Sequence, residues 1–153
     1  LKDVIQLVKN DKVLTPNGEA IVECIIKTNI PNNISVDFVV MGDGLEITPY
    51  HPVKTDEWRF PIDLASVKSI NCPAMYNVVL NTEHIMIING IQCCTLGHNF
   101  QDNSVISHPY LGTQRVIDDL KQMNGWDEGL IELQHNCLVR DNETNLIGRL
   151  VQL

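Results

Sequence analysis

The stretch AMYNVVLNTEHIMIINGIQCCTLGHNF, residues 74–100, decides how the chain is read. Three apolar runs, 75–80, 85–88 and 91–96, are rich in Val and Ile, residues that suit a pleated surface. Residues 81–84 are expected to close a hairpin between the first two runs. Asn89-Gly90 is expected to close another, because that dipeptide supplies the positive φ angles a tight turn requires.

The same texture extends to both sides. Val13-Leu14-Thr15 leads through Pro16-Asn17-Gly18, whose Asn-Gly step is expected to supply a tight hairpin turn, into a strand over 20–28, and the run 36–41 turns at Gly42-Asp43-Gly44 into 45–48. Turn signals recur about every 8–12 residues, the rhythm of an all-β barrel or sandwich. Two segments depart from it. Residues 2–8 read as one helical turn or a loop. Residues 114–123 read as a helix, with Thr113 as N-cap, Val116, Ile117 and Leu120 on one face, and Asn124-Gly125 as the stop. Strands are expected again over 130–133, 138–140 and 146–150. The fold class is mainly β with one late helix.

Charge and length bound the function. The chain has 153 residues and a net charge of −8, from 11 basic and 19 acidic side chains. That balance argues against tracking nucleic-acid phosphates or docking on an anionic membrane. No stretch approaches the roughly 18 apolar residues of a membrane span. Five cysteines, an odd number with no C-x-x-C pair, fit neither a disulfide framework nor a structural zinc site. Free thiols in a reducing compartment, the cytoplasm, are expected. Leu1 is not a Met, and residues 1–6 lack a secretory signal, so the chain is expected to be a piece of something longer.

Three histidines lie in company that suggests chemistry. In Thr48-Pro49-Tyr50-His51-Pro52 two prolines leave the backbone few options, so Tyr50 and His51 are expected to be aimed. His84 precedes an apolar strand. His98 is followed by Asn99, and a histidine can help a neighbouring Asn cyclise onto its own carbonyl. On spacing alone, His51 also reads as an incidental loop residue and His84 as a solvated hairpin tip.

In this order, Thr48-x-x-His51, Met75-Tyr76-Asn77-Val78-Val79-Leu80 with His84, and His98-Asn99 resemble the Hint superfamily of inteins and hedgehog autoprocessing domains. Residues 10–18 resemble that family's opening hairpin, with Asn10 where Gly is usual. Residues 47–52, 76–80 with 84–90, and 95–100, together with His108-Pro109-Tyr110-x-Gly112-Thr113 and 137–141, resemble one branch more closely. That branch is the Vint domain, found beside von Willebrand factor A modules. The resemblance implies long bent hairpins with pseudo-two-fold symmetry over 1–100, and an extension over 101–153 packed on them within one domain.

The resemblance also implies a reaction. An N-terminal Cys attacks the preceding carbonyl, turning an amide into a thioester, and self-cleavage follows. Thr48 and His51 take the roles of polarising that amide and protonating its nitrogen, with His84 in support. A neutral amide is a poor acyl donor, so such assistance is what the reaction needs. None of Cys24, Cys72, Cys93, Cys94 and Cys137 stands where that Cys belongs. The first strand and its nucleophile are therefore expected to be missing, and the chain inert alone. Phe100, not Cys, Ser or Thr, follows Asn99, so splicing is not expected.

Expected partners are the chain's own N-terminal segment and flanking precursor modules, with the domain itself a monomer; no cofactor is implied. A second function class is a non-catalytic Hint-fold scaffold that docks neighbouring modules through helix 114–123 and the tail. A third arrangement is a zinc site of His51, His84, His98 and Cys94, since imidazole and thiolate suit that ion. Asp118-Asp119 reads as a solvated helix face.

Overall fold

Gly18–Asn29 forms the longest strand, and three other strands are hydrogen-bonded to it. The computed structural model describes residues 3–153, so Leu1 and Lys2 lie outside the described residues. Of the 2–8 segment, Val4–Gln6 form one 3₁₀ turn. The strands are β1 (Lys12–Thr15), β2 (Gly18–Asn29), β3 (Val36–Met41), β4 (Leu45–Ile47), β5 (Val53–Lys54), β6 (Trp58–Arg59), β7 (Val67–Ile70), β8 (Ala74–Leu80), β9 (Ile85–Ile88) and β10 (Ile91–Cys94). Then come helix α1 (Gln114–Lys121), β11 (Leu130–Gln134), β12 (Leu138–Arg140) and β13 (Ile147–Leu150). The mainly β expectation with one late helix holds.

β1 and β2 form the first hairpin, Thr15 facing Gly18. Its turn is not the Asn-Gly turn expected, because Pro16 and Asn17 are the central residues and Pro cannot take positive φ. Only Gly18 does, at φ 126. The hairpin expected between 75–80 and 85–88 does not form. β8 pairs antiparallel with β2, from Val22↔Leu80 to Asn29↔Ala74, while β9 pairs with β10. Glu83 and His84 both adopt left-handed φ, 65 and 55, which turns the chain away from β8 instead of back along it. The β9–β10 turn is the one expected, with Asn89 at φ 50 and Gly90 at φ 79.

β2 carries a bulge between Val22 and Cys24. In a regular strand, residues 20, 22 and 24 would share one face. The bulge reverses that parity, so Ala20, Val22 and Ile25 lie in one apolar cluster and Cys24 and Ile26 in another. β8 follows the split, Val78 and Leu80 joining the first cluster and Val79 the second. β11 runs parallel to β2, Ile131 opposite Ile26, and alternates in burial so that Ile131 and Leu133 point inward.

α1 closes this second cluster with Val116, Ile117 and Leu120, the three residues its periodicity assigned to the inner face. Thr113 caps it, its hydroxyl oxygen accepting from the Arg115 N–H. Two smaller sheets, β4-β3-β7 and β6-β5-β10-β9, enclose a third cluster of Val39, Met41, Leu45, Ile47, Val53 and Cys93. Residues 53–70 supply β5, β6 and β7, which are too short to show a period. No helix among the described residues is long and apolar enough to cross a membrane.

Gly125 sets the chain's return into β11. It sits at φ 103, and a Cβ there would run into the Leu130 carbonyl. Gly125→Ala should destabilise the fold by about 2–4 kcal/mol in urea melts followed by circular dichroism. Gly44→Ala, at φ 102 but with open space around it, should cost only about 1 kcal/mol. Equal losses at the two positions would contradict this turn.

Candidate functional site

The end of β10 is where three loops meet. The 48–52 loop is tied down at both ends. The His51 N–H donates to the Thr48 carbonyl at 3.2 Å, and the Cys94 N–H donates to the Pro52 carbonyl at 3.4 Å. The ring of His51 then reaches across, Nε2 lying 2.7 Å from the Cys94 carbonyl oxygen. A carbonyl only accepts, so this contact places the proton on Nε2 and leaves Nδ1 with its lone pair. Thr48 is half-buried, and its hydroxyl has no hydrogen-bond partner among the described residues. Tyr50 is not aimed inward with its neighbour: it is 67% exposed and packs edge-on against Phe60.

The 81–84 turn approaches from the other side. The Thr95 N–H donates to the His84 carbonyl at 2.9 Å. His84 is half-buried rather than a solvated tip, and its Nδ1 is buried without a partner among the described residues, as is the hydroxyl oxygen of Thr95. The third loop runs on from Thr95. Gly97 and Asn99 donate backbone N–H groups to the carbonyls of Leu111 and Gly112, at 2.9 and 2.8 Å. His98 is 6% exposed, stacks on Phe100, and accepts the Phe100 N–H at Nδ1 at 2.9 Å. Gly112 makes room for that ring, since a Cβ would sit 2.8 Å from its Cε1. His108 accepts from Tyr110 and Leu111 N–H groups and so holds the turn that presents those two carbonyls.

A family model for the Hint-domain named Vint matches residues 1–148. The chain belongs to the Vint family of Hint domains. No curated protein matches its sequence.

Burial in this Vint domain favours the neutral form of His51, His84, His98 and His108. Burial lowers His51 below its usual 6.5, only partly opposed by the Cys94 carbonyl. Burial also lowers His84, against the pull of Glu23 and Glu83, and lowers His108. His98 falls to about 4, through burial first and then the neighbouring His84, with smaller effects of His108 and His51 and a backbone bond to Ile106 opposing. Burial likewise disfavours the thiolate at Cys24, Cys93, Cys94 and Cys137. Burial raises Cys24 to about 11 and Cys93 and Cys94 to about 12, and it raises Cys137 as well. All five cysteines are free, and none of these four is a thiolate at neutral pH.

Thr48, His51, His84 and His98 are therefore brought to one neighbourhood around residues 94–98. Asn99 is not: it is exposed at the rim, in left-handed backbone at φ 61. The zinc arrangement does not assemble. Among the described residues no group of three or more His, Cys, Asp or Glu side chains is placed to hold a metal ion. Nε2 of His51 faces the carbonyl of Cys94, not its sulfur. The site residues that sequence reasoning missed are the Cys94 carbonyl, Thr95, His108 and Gly112. Thr95, His108 and Gly112 lie in two motifs legible in the sequence, but a backbone carbonyl leaves no mark in a sequence.

Acid should loosen this site. Each ring's folded pKa lies below the value of the unfolded chain, so the unfolded state takes up protons that the folded state refuses. Stability is then full above about pH 6.5 and declines as pH falls toward 4. His98 alone should lower Tm by roughly 4–8 °C between pH 7 and 5. Thermal melts of the wild type and His98→Asn check this. An unchanged Tm, or the same slope in the variant, would contradict it.

Proposed function

We propose that this Vint domain promotes an N–S acyl shift and self-cleavage at its N-terminal junction. The observation that carries the reading is the 2.7 Å contact between His51 Nε2 and the Cys94 carbonyl, which leaves Nδ1 as the atom that exchanges a proton. A thiol attacks the carbonyl of the scissile amide, forming a C–S bond as the C–N bond breaks. The proton lost by the thiol passes through His51 Nδ1 to the departing nitrogen, so the amine leaves neutral. Thr48 hydrogen-bonds the amide and polarises it. The thioester is released by water or a second thiol, which takes the acyl group and restores the free Cys.

The nucleophile is a Cys outside these 153 residues. The burial of Cys24, Cys93, Cys94 and Cys137 in the fold supports this, and Cys72 adjoins β8 at the far end from the site. The reaction needs no cofactor, and the partners are the domain's own N-terminal segment and the flanking modules of a precursor. The domain acts on its own junction as a monomer. Five free thiols favour a reducing, cytoplasmic setting.

A second reading is a scaffold without catalysis, favoured by the raised pKa values of four of the five thiols. A precursor carrying a Cys-headed strand ahead of the domain separates the two, with chain length followed on gels after addition of dithiothreitol. Autoprocessing shortens the wild type. His51→Ala should slow cleavage by about 10²–10⁴-fold, the range for a general acid–base group, and Thr48→Ala by a smaller factor. Full-length precursor that persists equally in all three supports the scaffold.

A further inference from the structure

A groove of about 290 Å³ lies between the start of α1 and the β12–β13 ribbon, and no histidine lines it. Arg115, Arg140 and Arg149 line it, three of the four arginines in a chain of net charge −8. None of the three has a carboxylate within ion-pair distance among the described residues, whereas Arg59 and Lys27 do. Arg115 lies over the Tyr110 ring at 5.6 Å, and its Nη1 donates to the Pro109 carbonyl at 3.4 Å. Arg140 Nη1 donates to the Asn145 carbonyl at 2.9 Å. These contacts orient two guanidinium groups and leave their positive charge unneutralised.

The groove holds one carboxylate, that of Asp141. Its Oδ1 accepts from the N–H groups of Glu143 and Thr144, at 2.9 and 3.0 Å, and from the Thr144 hydroxyl at 3.3 Å. Those bonds hold its carboxyl below the usual range and direct it into its own turn. Between the arginines the wall is apolar, formed by Val139, Leu146 and Ile147, with Val139 and Leu146 more than 40% exposed.

We propose that this groove binds an acidic peptide segment of a partner protein, one in which carboxylates alternate with apolar side chains. Guanidinium groups fit carboxylates through paired N–H···O bonds. The apolar wall fits the intervening side chains. The acidic remainder of the domain repels such a segment, so attraction is confined to the groove. The inference does not depend on the autoprocessing reading.

The test is fluorescence anisotropy of a short labelled peptide of alternating Glu and Leu, titrated with the intact domain. Saturable binding is expected, weakening as salt is raised. Arg140→Gln and Arg149→Gln should each weaken it about tenfold, with circular dichroism confirming the fold. Asp141→Asn, which keeps an acceptor oxygen for its turn, should tighten it several-fold. The proposal is overturned if the peptide does not bind, or if a Gln–Leu peptide binds as well. It is also overturned if the arginine variants bind as the wild type does, if inorganic phosphate competes as strongly as the peptide, or if sedimentation shows the groove covered by a second copy of the domain.

Discussion

The single extra residue in β2 between Val22 and Cys24 is the constraint on which the rest of the structure depends. A strand has two faces, and a sequence of alternating apolar residues can serve only one core unless its parity changes. The bulge makes that change. It lets one strand contribute Ala20, Val22 and Ile25 to the core shared with β9, and Cys24 and Ile26 to the core shared with α1 and β11. The apolar run Cys24-Ile25-Ile26 is buried on both faces for this reason. Without it β11 and α1 would meet a surface whose apolar residues pointed the other way.

The site inherits its position from that arrangement. β8, held on β2 by seven residue pairs, fixes the 81–84 turn and accepts the Leu96 N–H at the Val78 carbonyl. β9 and β10 form a hairpin that joins cores, Met86 lying in one cluster and Cys93 in another, with Ile88 packed against both. The end of β10 is therefore fixed from two sides before any loop reaches it. The 48–52 loop bridges the two small sheets, which places His51 over the Cys94 carbonyl. Thus the histidines converge because the ends of packed strands converge, and their burial, which favours the neutral form, comes from the same packing.

Which features could be read from the sequence follows from the range of the interactions that produce them. The Asn89-Gly90 turn, the Thr113 cap and the inner face of α1 depend on residues within a turn of each other, and each was found where expected. The sequence favours a hairpin between 75–80 and its neighbour 85–88, but the run pairs instead with the distant β2, from Val22↔Leu80 to Asn29↔Ala74. Nothing local distinguishes the two partners until Glu83 and His84 take left-handed backbone. The parallel pairing of β11 with β2 was equally hidden, since its alternation fixes which face is buried and not which strand lies beside it. Asp119 was read as solvated, yet it accepts the Tyr110 hydroxyl at 2.5 Å, while the same hydroxyl accepts the Leu150 N–H. Thr48, His51, His84 and His98 were identifiable only as motifs. Their meeting point, a backbone carbonyl and a threonine at the end of β10, is a property of the fold.

The hydrogen bonds of the His51 and His98 rings argue for unequal roles. His98 has Nδ1 occupied by the Phe100 N–H, so that side of its ring is engaged in holding the 97–112 loop. That polarity also opposes chemistry at the Asn99–Phe100 bond. Cyclisation of an Asn requires the departing amide nitrogen to receive a proton, and here that nitrogen donates one to a ring whose pKa lies near 4. The exposed side chain of Asn99 and its left-handed backbone leave it outside the pocket as well. His51 differs in which nitrogen is engaged: Nε2 is oriented by a carbonyl that cannot itself titrate, and Nδ1 keeps its lone pair. A ring anchored at Nε2 and open at Nδ1 can take up a proton and pass it on without losing its place, which is what an acyl shift at an amide asks of it. The same contrast separates the His-Asn pair from the Thr-x-x-His motif: in the first the ring accepts the next residue's N–H, in the second it is anchored on a carbonyl.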